Sequence, residues 1–490
     1  MSGLDWRKLL YLTLIIASVL VFLCIFSSKV LYRFGVPSLL IFLAIGMLMG
    51  TDGIGLINFH DFEVAEIIST IAIVLIIFYG GFGTKWDTAK PILAKASLMS
   101  SLGTIMTAFI IGIFCMFILR VPFLHGLLLG SVVGSTDAAS VFSILRSREL
   151  SLKGGLAPLL EVESGSNDPF AYMMTIVVLS AIGAEGAGPS VSFVIISFVM
   201  QLGVAIVIGA VASFLSVVLL KRLQLQVSGL NPILLLAIVM FSFSLCVLLG
   251  GNGLLCVYIL GIVVGNNKIL HKVSLVNFFD GLSWIMQITL FLALGLLSFP
   301  SQLPNIIIPG TLLSVLLIFV ARPMAVLCIL SWFKTPLKQQ AFIAWVGLRG
   351  SASIVFAIVA VTALGDTLSY DLFHIVFYIA LSSILIQGTL MPFMANKLDV
   401  VDDSEENSVM KIFTDYHEEI HTLLMEYTIK AEDSLLGKRI VDAGIPYDLL
   451  IIMIKRDGEI IVPNGSTMLK QNDVLVISGE NFSFFENAVC

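Results

Sequence analysis

A chain of 490 residues that is 58% hydrophobic and 12% charged, with a mean hydropathy of +1.03, lies far outside the composition of a soluble globular protein and reads as a polytopic membrane protein. Its charge is divided: up to Leu398 there are 20 Lys and Arg against 15 Asp and Glu, and from Asp399 onward 7 against 18. The break near residue 400 marks two bodies, a membrane domain at 1–398 and an acidic linker at 399–419 leading to a cytoplasmic domain at 420–490, and no nucleic-acid partner is expected.

A membrane-spanning helix needs about 20 mostly apolar residues. Spans are expected near residues 9–28, 34–50, 64–83, 92–118, 124–145, 156–182, 190–219, 231–249, 253–266, 281–299, 305–330, 341–363 and 372–394. The first has no trustworthy cleavage signal after Ser28 and is read as a retained helix. About thirteen spans put the termini on opposite sides. Alternate loops carry Lys29 and Arg33, Lys85, Lys90 and Lys95, Arg146, Arg148 and Lys153, Lys221 and Arg222, Lys268 and Lys272, and Lys334 and Lys338, while the opposite internal loops carry Arg120. The positive-inside rule places the N-terminus outside and the tail in the cytoplasm, against the weaker signal of Arg7 and Lys8.

The fifth stretch is interrupted at Gly134 to Asp137 and the twelfth at Gly347 to Gly350. Read as six spans, one linker helix and six more, the chain has matching breaks in its two halves, the pattern of inverted repeats whose unwound helices cross near the bilayer midplane. The expected fold is therefore an all-α polytopic transporter with broken crossing helices, followed by a small α+β domain. Asp137, Glu163, Asp168, Arg322 and Arg349 fall within spans, where each needs a partner, a cavity or a proton. Glu163 shares a helix face with Asn167, and Ser164 with Asp168. Glu163 is read as half of a buried salt bridge with Arg322 or Arg349. If the two arginines compensate Glu163 and Asp137, Asp168 is left to the ion cavity. Asn167 is expected to donate its amide to a neighbouring carboxylate or to a carbonyl freed by the break, and Glu161 to occupy a solvated helix start.

A lone buried carboxylate takes either a proton or an alkali cation, so it suits exchange of one for the other. Hard monovalent cations call for oxygen ligands, here Asp168, Asp137, Thr136, Ser164 and backbone carbonyls. The cysteines Cys24, Cys115, Cys246, Cys256, Cys328 and Cys490 form no CxxC pair and read as packing residues, and His60, His125, His271 and His374 are dispersed, which speaks against a transition metal or haem. The chain shows no P-loop and no nucleophile arrangement, and no enzymatic activity is expected.

The motifs Ser135 to Ala139 (STDAA), Glu161 to Pro169 (EVESGSNDP), Val320 to Pro323 (VARP) and Gly347 to Ser351 (GLRGS) resemble those of the monovalent cation:proton antiporters, in the CPA1 branch of sodium/proton and potassium/proton exchangers, over about residues 9–394. The resemblance implies that Asn167 and Asp168 are the signature pair, with Asp168 binding cation or proton, and that Thr136 and Asp137 belong to the first break. It further implies that Glu163 is tied to Arg322, that Ser164 is a ligand, and that Arg349 supports the second break. Many relatives have Pro where this chain has Ala138. The Asn-Asp pair is similar to that of members exchanging one proton per cation, so electroneutral exchange is expected; the resemblance further implies a homodimer among the lipids of a bacterial inner or plasma membrane.

In the tail, residues 421–431 read as a strand and 434–445 as a short helix. Two strands follow around a turn at Arg456, Asp457 and Gly458, and Asp473 to Glu480 supplies another strand. Ser434, Gly437, Lys438, Ile440, Pro446, Ile451 to Ile454, Arg456, Gly458, Pro463, Gly465 and Gly479 resemble the TrkA-C domain, the C-terminal domain of regulators of potassium conductance. Such domains dimerise, and some bind a regulatory nucleotide such as cyclic di-AMP; a purely structural module is an equal reading. The joined pair of domains favours K⁺ over Na⁺ by analogy, while the cavity residues discriminate neither. A Na⁺/H⁺ antiporter, a regulated cation channel and a sensor with a vestigial transport core are the competing readings.

Overall fold

The computed structural model describes residues 5–31, 38–148, 150–183, 191–223, 229–269, 272–365, 369–402, 423–430, 433, 435–456 and 459–479. Contacts divide the chain into two compact units, Met1–Ile269 with Asn277–Asp402, and Leu270–Val276 with Asp403–Cys490.

The membrane unit is built from helices α1 (Asp5–Leu31), α2 (Ser38–Met49), α3 (Phe62–Gly83), α4 (Trp86–Leu119), α5 (Phe123–Val132), α6 (Ala138–Ser147), α7 (Leu156–Gly183) and α8 (Val191–Arg222). There follow α9 (Leu230–Leu248), α10 (Gly253–Gly265), α11 (Lys272–Leu297, in this unit from Asn277), α12 (Pro300–Leu330), α13 (Leu337–Trp345), α14 (Ser351–Leu364) and α15 (Ser369–Ser383, running on through a π turn to Lys397). Within the described residues, helix lies over each apolar stretch read from the sequence, interrupted in the fifth and twelfth. Among the described residues, seven helices are long and apolar enough to cross a membrane: α3, α4, α8, α9, α11, α12 and α15. Helix α7 falls outside that group because Glu161, Glu163 and Asp168 interrupt its apolar character. The pairs α5/α6 and α13/α14 fall outside it because each is one stretch cut in two.

Small residues bring α3 and α10 into backbone contact. A Cβ on Gly261 would lie 2.4 Å from the Phe78 carbonyl oxygen, and one on Gly265 2.1 Å from that of Phe82. Around the two breaks, Met99, Ile144, Leu159, Leu160, Ile329, Phe342 and Leu348 form a buried apolar cluster that gathers α4, α6, α7, α12 and α13. Of the cysteines, Cys24, Cys115, Cys246 and Cys256 are buried free thiols, whereas Cys328 is exposed rather than packed; Cys490 lies outside the described residues.

Residues 399–402, read as the start of the linker, belong to the membrane unit. Asp399 reaches Lys153 Nζ at 3.0 Å and Lys338 Nζ at 3.7 Å. The Lys153 N–H donates to the Val400 carbonyl at 2.9 Å, and the Asp402 N–H to that of Ser151 at 2.9 Å. The hydrogen bond and charge of Lys153, with Lys338 beside them, hold the Asp399 carboxyl below its usual range. Residues 403–419 of the predicted linker lie outside the described residues.

The second unit carries an antiparallel sheet of β1 (Leu423–Thr428), β2 (Leu450–Arg456), β3 (Glu459–Ile461) and β4 (Val474–Gly479) in the order β1-β4-β2-β3. Met425 pairs with Ile477 and Ile454 with Leu475, with a bulge between Ile451 and Met453. Alternation in β1 sends Met425 and Tyr427 into a core shared with Leu435, Ile454, Leu475 and Ile477. The helix expected at 434–445 is replaced by turns and a single 3₁₀ turn, Ile440–Asp442. Left-handed Gly437 (φ 76°) and Gly444 (φ 67°) bracket it. Three of its N–H groups pair outward, Gly437 with Leu469 O, Ile440 with Thr467 O and Val441 with Gly465 O, while Lys438, Asp442 and Ala443 close local turns. Asp457 and Gly458 of the predicted turn, and Ser434, lie outside the described residues.

Asp473 is fully buried and pinned by Arg456, Nε to Oδ1 and Nη2 to Oδ2 both at 2.7 Å, and by the Lys470 N–H at 2.8 Å. Burial alone would raise its pKa, but the Arg456 fork and the Lys470 N–H outweigh it and hold the carboxyl below the usual range. A carboxylate depressed in the folded state stabilises the fold above its unfolded pKa, about 4, and that contribution is lost as pH falls through the folded value. Arg456→Ala strands the buried charge and is expected to cost the unit about 3 kcal/mol at neutral pH, less as the medium turns acid. Hydrogen exchange of Leu423–Gly479 in the full chain checks this; unchanged protection would contradict it.

Candidate functional site

The first break spans Val133 to Asp137 between α5 and α6, and the second spans Val346 to Gly350 between α13 and α14. They meet. The Asp137 N–H donates to the Leu348 carbonyl at 2.8 Å, and Arg349 Nη1 donates to the carbonyls of Gly134 and Ser135, both at 2.7 Å. Arg349 is completely buried, and among the described residues it makes no ion pair within 4 Å. The idea that it neutralises Asp137 is therefore corrected: its Nη1 caps carbonyls that the break leaves without helical partners, and its charge acts at longer range on Glu163 and Asp168. Asp137 instead caps α6, accepting the Ser140 N–H at 3.1 Å and the Ser140 hydroxyl at 2.7 Å. Gly350 admits that carboxylate, since a Cβ there would lie 2.1 Å from Asp137 Oδ2.

Helix α7 lines the first break. Ser164 donates to the Thr136 carbonyl at 2.7 Å and accepts the Ala138 N–H at 2.9 Å. Asn167 donates through Nδ2 to the Thr136 hydroxyl and accepts the Thr136 N–H at 3.3 Å. This departs from the expected amide bond to a carboxylate or a freed carbonyl: Ser164 has the freed carbonyl, and Asn167 takes both remaining polar groups of Thr136. Asp168 Oδ1 accepts the Ser135 hydroxyl. Asp137 is near enough to act on Asp168 electrostatically. Thr136, Asp137, Ser164, Asn167 and Asp168 thus share one site, with Asp137 and Asp168 half-buried and the others buried.

Glu163 faces away and pairs with Arg322 Nη2 at 2.6 Å, both side chains no more than 4% exposed. Arg322 begins a helical turn directly after a π segment, Leu317–Ala321.

Several partners carry no motif of their own. Ser383 accepts the Arg349 N–H at 3.0 Å and donates to Gln387 Oε1 at 2.6 Å, while Gln387 Nε2 donates to the Trp345 carbonyl at 2.8 Å. Both lie on α15 at its π turn, Ile384–Gly388, and satisfy the second break from outside. Asn252 Nδ2 donates to the Pro169 carbonyl at 2.6 Å while its Oδ1 caps α10 through the Leu255 N–H at 3.0 Å. An Asn between glycines ahead of an apolar run was the available signal for that cap.

Two interrupted helices crossing over a carboxylate pair, with their backbone groups satisfied by buried polar side chains, define a secondary transporter of the broken-helix class. The chain belongs to the sodium/hydrogen exchanger family, whose transmembrane domain matches residues 17–397, and a TrkA-C domain matches residues 424–481. It is similar to the K(+)/H(+) antiporter NhaP of Alkalimonas amylolytica, 36% identical over 468 residues, 95% of this chain and 81% of that protein. It is 34% identical to the K(+)/H(+) antiporter NhaP2 of Shewanella sp. (strain MR-4) over 470 residues, 96% of this chain and 81% of that protein. The fold is shared with the sodium proton antiporter MjNhaP1 from Methanocaldococcus jannaschii at pH 8, with a TM-score of 0.67 and 21% identity over 79% of this chain and 99% of that one.

Two substitutions test the geometry. Gly350→Ala is expected to abolish cation exchange while leaving the protein monodisperse in detergent, because the added methyl drives Asp137 from its seat; wild-type exchange would refute that placement. Arg322→Ala is expected to cost about 3–5 kcal/mol by leaving Glu163 buried and unpaired, and Glu163→Leu with Arg322→Met to recover most of the loss. Thermal unfolding in detergent separates the two, and equal loss in single and double variants would count against the pairing as the source.

Proposed function

We propose that this chain exchanges K⁺ for H⁺ across the membrane, one for one, by alternating access. The observation that carries the reading is the contrast between two acids five residues apart on α7: Glu163 is matched by a buried arginine, whereas Asp168 makes no ion pair within 4 Å among the described residues and is held by the neutral hydroxyl of Ser135. A carboxylate so placed binds either a proton or a cation, and each displaces the other. Thr136, Ser164 and Asp137 supply further oxygen atoms beside it, and Asn167 fixes Thr136. A proton entering from outside neutralises Asp168 and releases the cation; after reorientation, the less acidic cytoplasm takes the proton and restores the charge.

K⁺ is favoured by the names of the relatives at 34% and 36% identity and by the attached TrkA-C domain. Na⁺ is the second reading, favoured by a 25% identical relative named probable Na(+)/H(+) antiporter 2 in Methanocaldococcus jannaschii. The apolar stretches support about thirteen crossings, the loop charges an N-terminus outside and a tail in the cytoplasm, and the family resemblance a bacterial inner or plasma membrane. Exposed Tyr447, Leu450, Ile460 and Val462 on the second unit support a homodimer, and a nucleotide such as cyclic di-AMP is a candidate regulator of that unit.

Dissipation of a pH gradient in proteoliposomes, with potential clamped and K⁺ or Na⁺ titrated separately, tests the reading. The expected outcome is a K⁺-preferring signal that Asp168→Asn reduces to the level of protein-free vesicles. Persistence of wild-type exchange in Asp168→Asn would remove Asp168 from the mechanism, and a Na⁺-only signal would replace the cation.

A further inference from the structure

One face of α7 carries more than Asp168. Positions 161, 165 and 168 follow the i, i+4, i+7 spacing of a single helical stripe, so Glu161, Gly165 and Asp168 share a face while Glu163 turns to Arg322. Helix α10 lies along that stripe. At one end Asn252 holds the Pro169 carbonyl at 2.6 Å. At the other, Asn266 Nδ2 holds the Thr84 carbonyl at 2.8 Å, and Thr84 Oγ1 stands 3.5 Å from Glu161 Oε1. Glu161 is therefore half-buried against Thr84, not the freely solvated helix start that its sequence position implied.

Between these fixed points Tyr258 rests on Gly165. A Cβ at Gly165 would lie 2.7 Å from ring Cε2, 2.8 Å from the hydroxyl oxygen and 2.9 Å from Cζ, so only glycine admits the ring there. Tyr258 is 4% exposed. Its hydroxyl sits beside Thr84, feels the charges of both Glu161 and Asp168, and among the described residues closes no well-formed hydrogen bond. A buried hydroxyl in that condition calls for a reason, and a ligand that is present only part of the time supplies one.

We propose that Glu161 is the docking carboxylate for the cation on its cytoplasmic approach, and that the Tyr258 hydroxyl is the neutral oxygen past which the ion moves between Glu161 and Asp168. A carboxylate attracts a hard cation and begins to replace its hydration shell. A phenol oxygen then offers a ligand too weak to trap the ion, which suits a point of transit. The proposal rests on exchange at Asp168 and on the orientation that puts the start of α7 in the cytoplasm.

The test varies the cation on one face at a time, in right-side-out and inside-out vesicles holding the full chain, with K⁺ as the probe. Glu161→Gln is expected to raise the cytoplasmic-face K⁺ concentration for half-maximal exchange about tenfold, with the maximal rate and the external-face value within about twofold of wild type. Glu161→Asp restores most of the affinity, and Tyr258→Phe, which keeps the ring on Gly165, raises the same half-saturation about threefold. Equal shifts on both faces would overturn the proposal in favour of a general effect on Asp168, and unchanged values in Glu161→Gln and Tyr258→Phe would overturn it outright. If Glu161→Gln fails to insert, Tyr258→Phe decides alone. Absence of K⁺-dependent exchange in the wild-type chain would instead bring down the exchange reading and this proposal with it.

Discussion

Two helices that stop inside a membrane leave carbonyls and N–H groups without helical partners, in a medium that offers no water to replace them. At this crossing the freed groups of one helix are matched by the other. Arg349 of the second break serves the Gly134 and Ser135 carbonyls of the first, and the Asp137 N–H of the first serves Leu348 of the second. Neighbouring helices supply the remainder, Ser164 and Asn167 from α7, and Ser383 and Gln387 from α15. Once these partners are placed, little freedom remains in where the carboxylates can sit. Asp137 is fixed as a helix cap, and Asp168 is brought beside it by the Ser135 hydroxyl.

The same constraint explains the division of labour among buried charges. Arg349 caps carbonyls through one nitrogen and acts on Glu163 and Asp168 only at a distance, whereas Arg322 pairs with Glu163 directly. A buried pair of this kind contributes little net stability, because desolvation offsets attraction; its loss is costly because a single charge is then left behind. Glu163 and Asp168, five residues apart on one helix, thus have opposite electrostatic fates that follow from which face each occupies.

Much of this was legible in the chain. The runs Gly134 to Asp137 and Gly347 to Gly350 announced breaks because small and polar residues interrupt otherwise apolar stretches, and helical spacing separated Glu163 from Asp168. What the sequence could not reveal were partners set by remote packing. Arg349 reads equally well as a counter-ion or as a carbonyl cap until the crossing is seen, and nothing near Gln387 marks it as the acceptor and donor for a helix more than forty residues away. Residues 434–445 misled for a different reason. Their leucines and isoleucines mimic a helical face, but left-handed Gly437 and Gly444 turn the backbone into short turns, several of whose N–H groups bond to residues 465–469.

Where the polypeptide leaves the membrane unit, it is held in two physically different ways. Asp399 is gripped by Lys153 and Lys338, exposed charges whose attraction ions screen within a Debye length of about 8 Å at physiological ionic strength. The backbone bonds from Lys153 to Val400 and from Asp402 to Ser151 carry no such sensitivity. The exit of the chain is thus a joint with one fastening that slackens as salt accumulates and another that does not. Lys153 stands just ahead of α7 and Lys338 lies within α13, so ionic strength acts on a tether fastened next to the acid-bearing helix and to the first half of the second broken one.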